Sequence, residues 1–133
     1  PMRSLAAGWE HSLLIDSAGS LWGGGSNREC CLSEEASEEC LALTRIDLAE
    51  LDGVPFEAAQ LGREHALAVL EGGRAVISWG QSNEFGQVGH GGPSNERVRP
   101  GVVHLGGVTV KQVACGEFHS LVLTVQGEVF AFG

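Results

Sequence analysis

The pattern Gly-x-x-His-x-Leu returns in this chain every 54 residues, and a chain that repeats itself at such a period must fold as a repeat. It occurs as "GWEHSLLIDSAGSLWG" from Gly8, "GREHALAVLEGGRAVISWG" from Gly62 and "GEFHSLVLTVQGEVFAFG" from Gly116. Gly8, Gly62 and Gly116 are in step, as are His11, His65 and His119, then Leu13, Leu67 and Leu121, then Gly19, Gly73 and Gly127. No gap interrupts these four identities.

Each copy reads as a β-hairpin. "HSLLID", "HALAVL" and "HSLVLT" are short apolar runs rich in leucine and β-branched residues. Each runs into a turn ending in glycine ("DSAG", "LEGG", "TVQG"), the residue that takes positive φ without a Cβ penalty. The return strands "SLWGG", "AVISWG" and "EVFAFG" place Trp22, Ile77 and Phe130 at equivalent positions if the second copy holds one extra residue. Trp79 and Phe132 then match, with Gly24 in that slot of the first copy. A further strand precedes each later hairpin, pairing Val54 with Val108 and Phe56 with Val110. "NEFGQVGHGGPSNERVRPG" has no period and is expected as surface loop. The Glu-rich start of "SEEASEECLALTRIDLAEL" is expected to form a helical turn with Ser33 or Ser37 as N-cap.

Three or four short strands per ~50-residue unit describe the blade of a propeller. The expected fold is all-β, a partial β-propeller of antiparallel blades with long surface loops. The repeats fall at about 5–58, 59–112 and, incomplete, 113–133, in one repeat region spanning 1–133. Leu13, Ile15, Leu67, Val69, Leu121, Leu123, Ile77, Phe130 and Trp79 are the expected core.

The chain resembles the regulator of chromosome condensation family, whose repeat runs V-x-x-V-A-x-G-x-x-H-S-L-x-L-x-x-x-G-x-V-x-x-W-G-x-N-x-x-G-Q-L-G. "VACGEFHSLVLTVQGEVFAFG" follows the first part nearly letter for letter, and "WGQSNEFGQVGHG" supplies the second with one insertion before Asn83 and Val88 for Leu. In the first copy "RECCLS" replaces the closing x-x-G-Q-L-G, so Cys30, Cys31 and Ser33 stand where the family has Gly, Gln and Gly. The resemblance implies a propeller seven-bladed when complete. About two and a half repeats cannot close a ring. They are then a piece of a longer chain or a partial propeller completed by another, open to self-association at its ends, where strands around Leu5 and Val129 would present unpaired edges. Cys31, Leu32 and Leu41 are the candidates for capping an end blade.

Composition narrows the function. A net charge of −9, with eight basic residues scattered along the chain, argues against direct nucleic-acid binding, which needs clustered Lys and Arg. No apolar run reaches the ~20 residues of a membrane span, and "PMRSLAAGWEHS" lacks the apolar centre of a signal peptide. Four cysteines without a C-x-x-C pair read as reduced thiols rather than a disulfide or zinc framework, which suits a cytoplasmic or nuclear protein. No Ser-His-Asp ordering, phosphate loop or H-E-x-x-H is present, and Glu34, Glu35, Glu38 and Glu39 read as a solvated charge run. No enzyme, metal or cofactor is expected.

The histidines invite a metal reading. Equivalent positions on successive blades form a ring about the axis, however, so the expected role of His11, His65 and His119 is a hydrogen bond to a neighbouring strand. Gly8, Gly62 and Gly116 beside them are expected to let backbones approach closely, and Gly19, Gly73 and Gly127 to serve the turns. The resemblance places the variable pairs Trp9-Glu10, Arg63-Glu64 and Glu117-Phe118 near one propeller face, making them the candidate partner-binding residues. It implies a protein-interaction platform. The alternative is guanine-nucleotide exchange on a small Ran-like GTPase, although no residues here match the wedge insertion that the founding member uses. Plant ultraviolet-B photoreceptors carry Trp in these segments on several blades. Only Trp9 matches that pattern, which leaves photoreception a minor alternative.

Overall fold

A computed structural model describes residues 1–26, 39–46, 53–81, 83–92 and 98–133. Among them, eleven strands form three antiparallel sheets. The first contains β1 (Met2–Ala7), β2 (His11–Asp16), β3 (Leu21–Ser26) and β4 (Glu39–Arg45) in that order. The second repeats it with β5 (Phe56–Leu61), β6 (His65–Leu70), β7 (Val76–Gly80) and β8 (Val98–Val102). The third has β9 (Val110–Cys115), β10 (Ser120–Thr124) and β11 (Val129–Phe132). A period can be cut at any phase, and the sheets cut it at the strand before each Gly-x-x-His turn.

The pairing register carries the internal repeat into three dimensions. Leu14 lies opposite Trp22, Ala68 opposite Ile77 and Val122 opposite Phe130, the alignment expected with one extra residue in the second copy. That residue follows Gly73, between a 3-10 turn, Glu71–Gly73, and β7. The turn closes with Leu70 N–H donating to the Ala75 carbonyl, where the other copies use Asp16 to Ser20 and Thr124 to Glu128. Gly73 has φ +66°, and a side chain there would run into the Val110 carbonyl at the start of the next sheet. The turn therefore reverses the chain and seats the next blade.

The core lies between sheets. Leu13, Ile15 and Leu21 of the first sheet meet Ala66, Ala68, Ile77 and Trp79 of the second. Leu67, Val69 and Val76 on the other side of the second sheet meet Val110, Val113 and Val122 of the third. Every residue of β6 is buried, because successive side chains point to opposite faces and both faces are covered. Ala66 and Ala68 face one neighbour while Leu67 and Val69 face the other.

Two expected core residues fall outside it. Leu121 is 38% exposed although it matches Leu13 and Leu67. Leu123 is half-buried. The cause is position: no sheet among the described residues covers the far side of β10. Phe130 lies opposite Val122 on the inner face and packs, half-buried, against the core between the second and third sheets. The loop reading also needs correction, since Asn83, Gln87 and Val88 are buried and residues 98–102 form β8. Asn83 supplies the bonds that let this segment turn inward, its Oδ1 accepting from Val88 N–H at 2.8 Å and its Nδ2 donating to the Gly92 carbonyl at 3.2 Å. The helical turn expected at Ser33 or Ser37 lies outside the described residues, as do Cys31, Leu32 and the side chain of Leu41. The stretch Glu39–Arg45 is strand.

Leu67→Ala should cost about 2–5 kcal/mol of unfolding free energy, since it empties a site with no exposure. Leu121→Ala, at the same place in the repeat, should cost about 1 kcal/mol or less in the same 133-residue chain. Urea denaturation of both variants compares them directly.

Candidate protein-interaction face

Each sheet is built around the same tight turn. Gly8 N–H donates to the His11 carbonyl at 2.9 Å, Gly62 to His65 at 2.8 Å and Gly116 to His119 at 2.9 Å. The imidazole folds back over its own glycine. A Cβ at Gly8 would stand 2.7 Å from His11 Nε2, and at Gly62 or Gly116 it would meet the rings of His65 or His119. Glycine and histidine thus recur together because one provides the floor for the other.

His65 then reaches into the next blade. Its Nε2 lies 2.8 Å from Ser120 Oγ, and Ser120 Oγ donates to the Gln87 carbonyl at 2.7 Å. With the hydroxyl proton committed to Gln87, the imidazole must donate from Nε2, which assigns the neutral tautomer. Burial lowers the His65 pKa from 6.5 to about 4, so the ring stays neutral at ordinary pH.

The first joint lacks the hydroxyl. Ala66 occupies the position of Ser120 one repeat earlier, and both ring nitrogens of His11 have no hydrogen-bond partner although the residue is 3% exposed. Burial lowers the His11 pKa, opposed by the nearby Glu10 carboxylate. His119 is exposed. Of the three histidines, one makes the expected neighbouring-strand bond.

The residues between glycine and histidine are brought together across all three sheets. The Arg63 guanidinium lies 4.7 Å from the Trp9 ring centre and 5.6 Å from that of Phe118. Arg63 Nη1 meets Glu117 Oε1 at 2.8 Å, and Arg63 N–H donates to the Glu117 carbonyl at 3.2 Å. Phe118 in turn packs on Phe85, ring centres 5.0 Å apart and tilted by 48°. The result is a row, Trp9–Arg63–Phe118–Phe85, whose ends are open: Trp9 is 63% exposed and Phe85 53%. Glu10 and Glu64 stand beside it, and their carbonyls accept from Ser26 and Gln81 N–H, which ties the turns to the returning strands. Sequence reasoning missed Phe85. Its signal was the turn "NEFG", where Gly86 takes φ +81° and leaves Glu84 and Phe85 at the tip.

One Ser-His contact outside the row is a staple. Ser78 Oγ donates to the Val88 carbonyl at 2.6 Å and meets His90 Nε2 at 2.7 Å, while that nitrogen also faces the Gly101 carbonyl at 3.0 Å. Ser78 is wholly buried and its proton is already placed, which is the opposite of an activated nucleophile. Among the described residues no group of three or more His, Cys, Asp or Glu is arranged to hold a metal, and no helix is long and apolar enough to cross a membrane. Cys115 is a half-buried free thiol that burial pushes up to about 12.

The profile of the Regulator of chromosome condensation (RCC1) repeat matches residues 75–123. The chain belongs to the RCC1-repeat family. It is similar to the Ultraviolet-B receptor UVR8 of Arabidopsis thaliana, 32% identical over 97% of this chain and 29% of the receptor. It superposes on human WBSCR16 with a TM-score of 0.84 at 30% identity, covering 98% of this chain and 35% of that one. On Prp20p of Saccharomyces cerevisiae the TM-score is 0.75 at 25% identity, over 98% of this chain and 30% of that one. The chain therefore spans about a third or less of the length of these relatives, and its three sheets are part of a propeller.

Two measurements test the RCC1-repeat joints. Ala66→Ser places a hydroxyl where His11 lacks a partner and should raise stability by about 1 kcal/mol, the net worth of one buried hydrogen bond. For His65 the folded pKa lies below the unfolded one, so the unfolded chain takes up the proton first as pH falls. Its contribution is intact above 6.5 and is lost progressively towards about 4, by on the order of 3 kcal/mol. Denaturation across that window should show the decline, and His65→Gln should flatten it while lowering stability at pH 7.

Proposed function

We propose that this stretch of RCC1 repeats is a rigid protein-interaction platform whose contact face is the row Trp9–Arg63–Phe118–Phe85, with Glu10, Glu64 and Glu117 around it. One observation carries the reading: two large aromatic rings stand more than half exposed at the ends of an ordered stack, on turns fixed by the backbone of three blades. Exposed aromatics and arginine on a rigid frame are the raw material of interface hot spots. The platform needs no reaction chemistry, and the Ser78–His90 contact offers none.

Guanine-nucleotide exchange on a small GTPase is the second reading, favoured by the likeness to Prp20p, whose structure was described with its binding properties to Gsp1p and histones. A photoreceptor role is less favoured. The three tryptophans sit in separate settings: Trp9 stacks on Arg63, Trp22 donates to Asp16 Oδ2 at 2.9 Å, and Trp79 is wholly buried between sheets. The exposed side of the third sheet, with Leu121 and Val129, is proposed to meet further blades in the same or a second polypeptide. The compartment that fits these readings is cytoplasmic or nuclear.

A photo-crosslinking residue at position 85 of the intact protein, compared with one at Lys111, tests the platform. The expected result is a defined protein adduct at 85 that is absent at 111 and lost in Trp9→Ala. An adduct unaffected by Trp9→Ala and Arg63→Ala removes this face from the reading. Release of labelled guanine nucleotide from Gsp1p, measured with and without the protein, decides between platform and exchange.

A further inference from the structure

We infer that the row Trp9–Arg63–Phe118–Phe85 recognises an arginine-bearing basic segment of a partner protein, whose guanidinium groups continue the stack at its two open ends. The inference rests on the platform reading and adds the chemistry of the partner.

The chain already displays the occupant. Arg63 is a guanidinium seated against two rings, 4.7 Å from the Trp9 centre and 5.6 Å from that of Phe118, with Glu117 Oε1 at 2.8 Å to balance its charge. Cation on ring with a carboxylate alongside is thus a packing this face forms. Trp9 stacks on Arg63 and remains 63% exposed, and Phe85 packs at a tilt on Phe118 and remains 53% exposed. A ring face carries negative potential, so it attracts a cation and disfavours an anion.

Charge selects the sign of the partner. Arg63, the basic member of the row, is taken up by Glu117, so the row offers little positive charge of its own. The residue after Trp9 is Glu10 and the residue before Phe85 is Glu84, both exposed, and neither carboxylate forms an ion pair with a described residue. Each open ring therefore has an acidic neighbour in the chain, on a polypeptide whose net charge is −9. An acidic partner would meet repulsion at both ends. A purely apolar one would leave both carboxylates facing a low-dielectric contact without compensation. Arginine fits better than lysine, because its planar group stacks while its N–H groups reach a carboxylate. The long-range field also speeds the approach of a basic segment and makes its binding salt-dependent.

Fluorescence anisotropy of dye-labelled nona-arginine, nona-lysine and nona-glutamate with the intact protein tests the inference, with 5-fluorotryptophan NMR to locate the contact. The expected order is arginine, then lysine, with no binding of the acidic peptide, and the Trp9 resonance should move while those of Trp22 and Trp79 stay. Trp9→Ala, Phe85→Ser, Glu10→Gln and Glu84→Gln should each weaken nona-arginine by roughly five-fold, the worth of one exposed cation–π or charge contact. Glu128→Gln, at the far turn of the β10–β11 hairpin, should leave it unchanged. Equal weakening by Glu128→Gln would make the binding general attraction to an acidic protein and overturn the inference. So would a still Trp9 resonance, or an adduct partner at position 85 that nona-arginine fails to displace. In that last case the platform stands and only the partner's chemistry falls.

Discussion

A four-stranded sheet with apolar side chains on both faces has to be covered twice, and the rest of this molecule is arranged around that demand. The middle sheet meets it: β6 presents Ala66 and Ala68 to one neighbour, Leu67 and Val69 to the other, and none of its residues is exposed. The flanking sheets meet it on one side each, which is why the same leucine is core at 13 and 67 and surface at 121. Burial here is a property of the stack. The local sequence of a single blade does not set it.

Much of the fold was legible because the chain spells it three times. The hairpins, their turns, the extra residue in the second copy and the slot shared by Trp79 and Phe132 could all be aligned without coordinates. What escaped was set by contacts distant in sequence. Leu121 reads as core because its spacing is core spacing, and the spacing carries no word about whether a neighbour is present. The stretches 83–92 and 98–101 read as loop because their order comes from side-chain bonds of Asn83 and from a strand containing Pro100 and Gly101, neither of which leaves a periodic trace.

The candidate face shows the same division. Trp9, Arg63, Glu117 and Phe118 were visible as the positions that vary inside an otherwise fixed turn. Their convergence was not, since it needs the rotation from one blade to the next to bring residues 54 apart into contact. Phe85 sits at the tip of the turn "NEFG", a visible turn signal, but its packing on Phe118 shows only in three dimensions. Fixed glycine and histidine set the frame, and the residues between them are free to carry chemistry.

The bond from His65 to Ser120 crosses from one repeat into the next. A repeat in this protein therefore holds half of two joints and the whole of none. The second repeat brings a histidine for its successor and, with Ala66, no hydroxyl for its predecessor. Such units are not freely interchangeable bricks. If the first and second repeats changed places in the course of duplication and recombination, His65 would precede Ser12 and keep a hydroxyl partner, whereas His11 would precede Ser120 and gain one. The order of blades is thus itself a variable on which drift or selection can act, and the present order leaves one histidine without its mate.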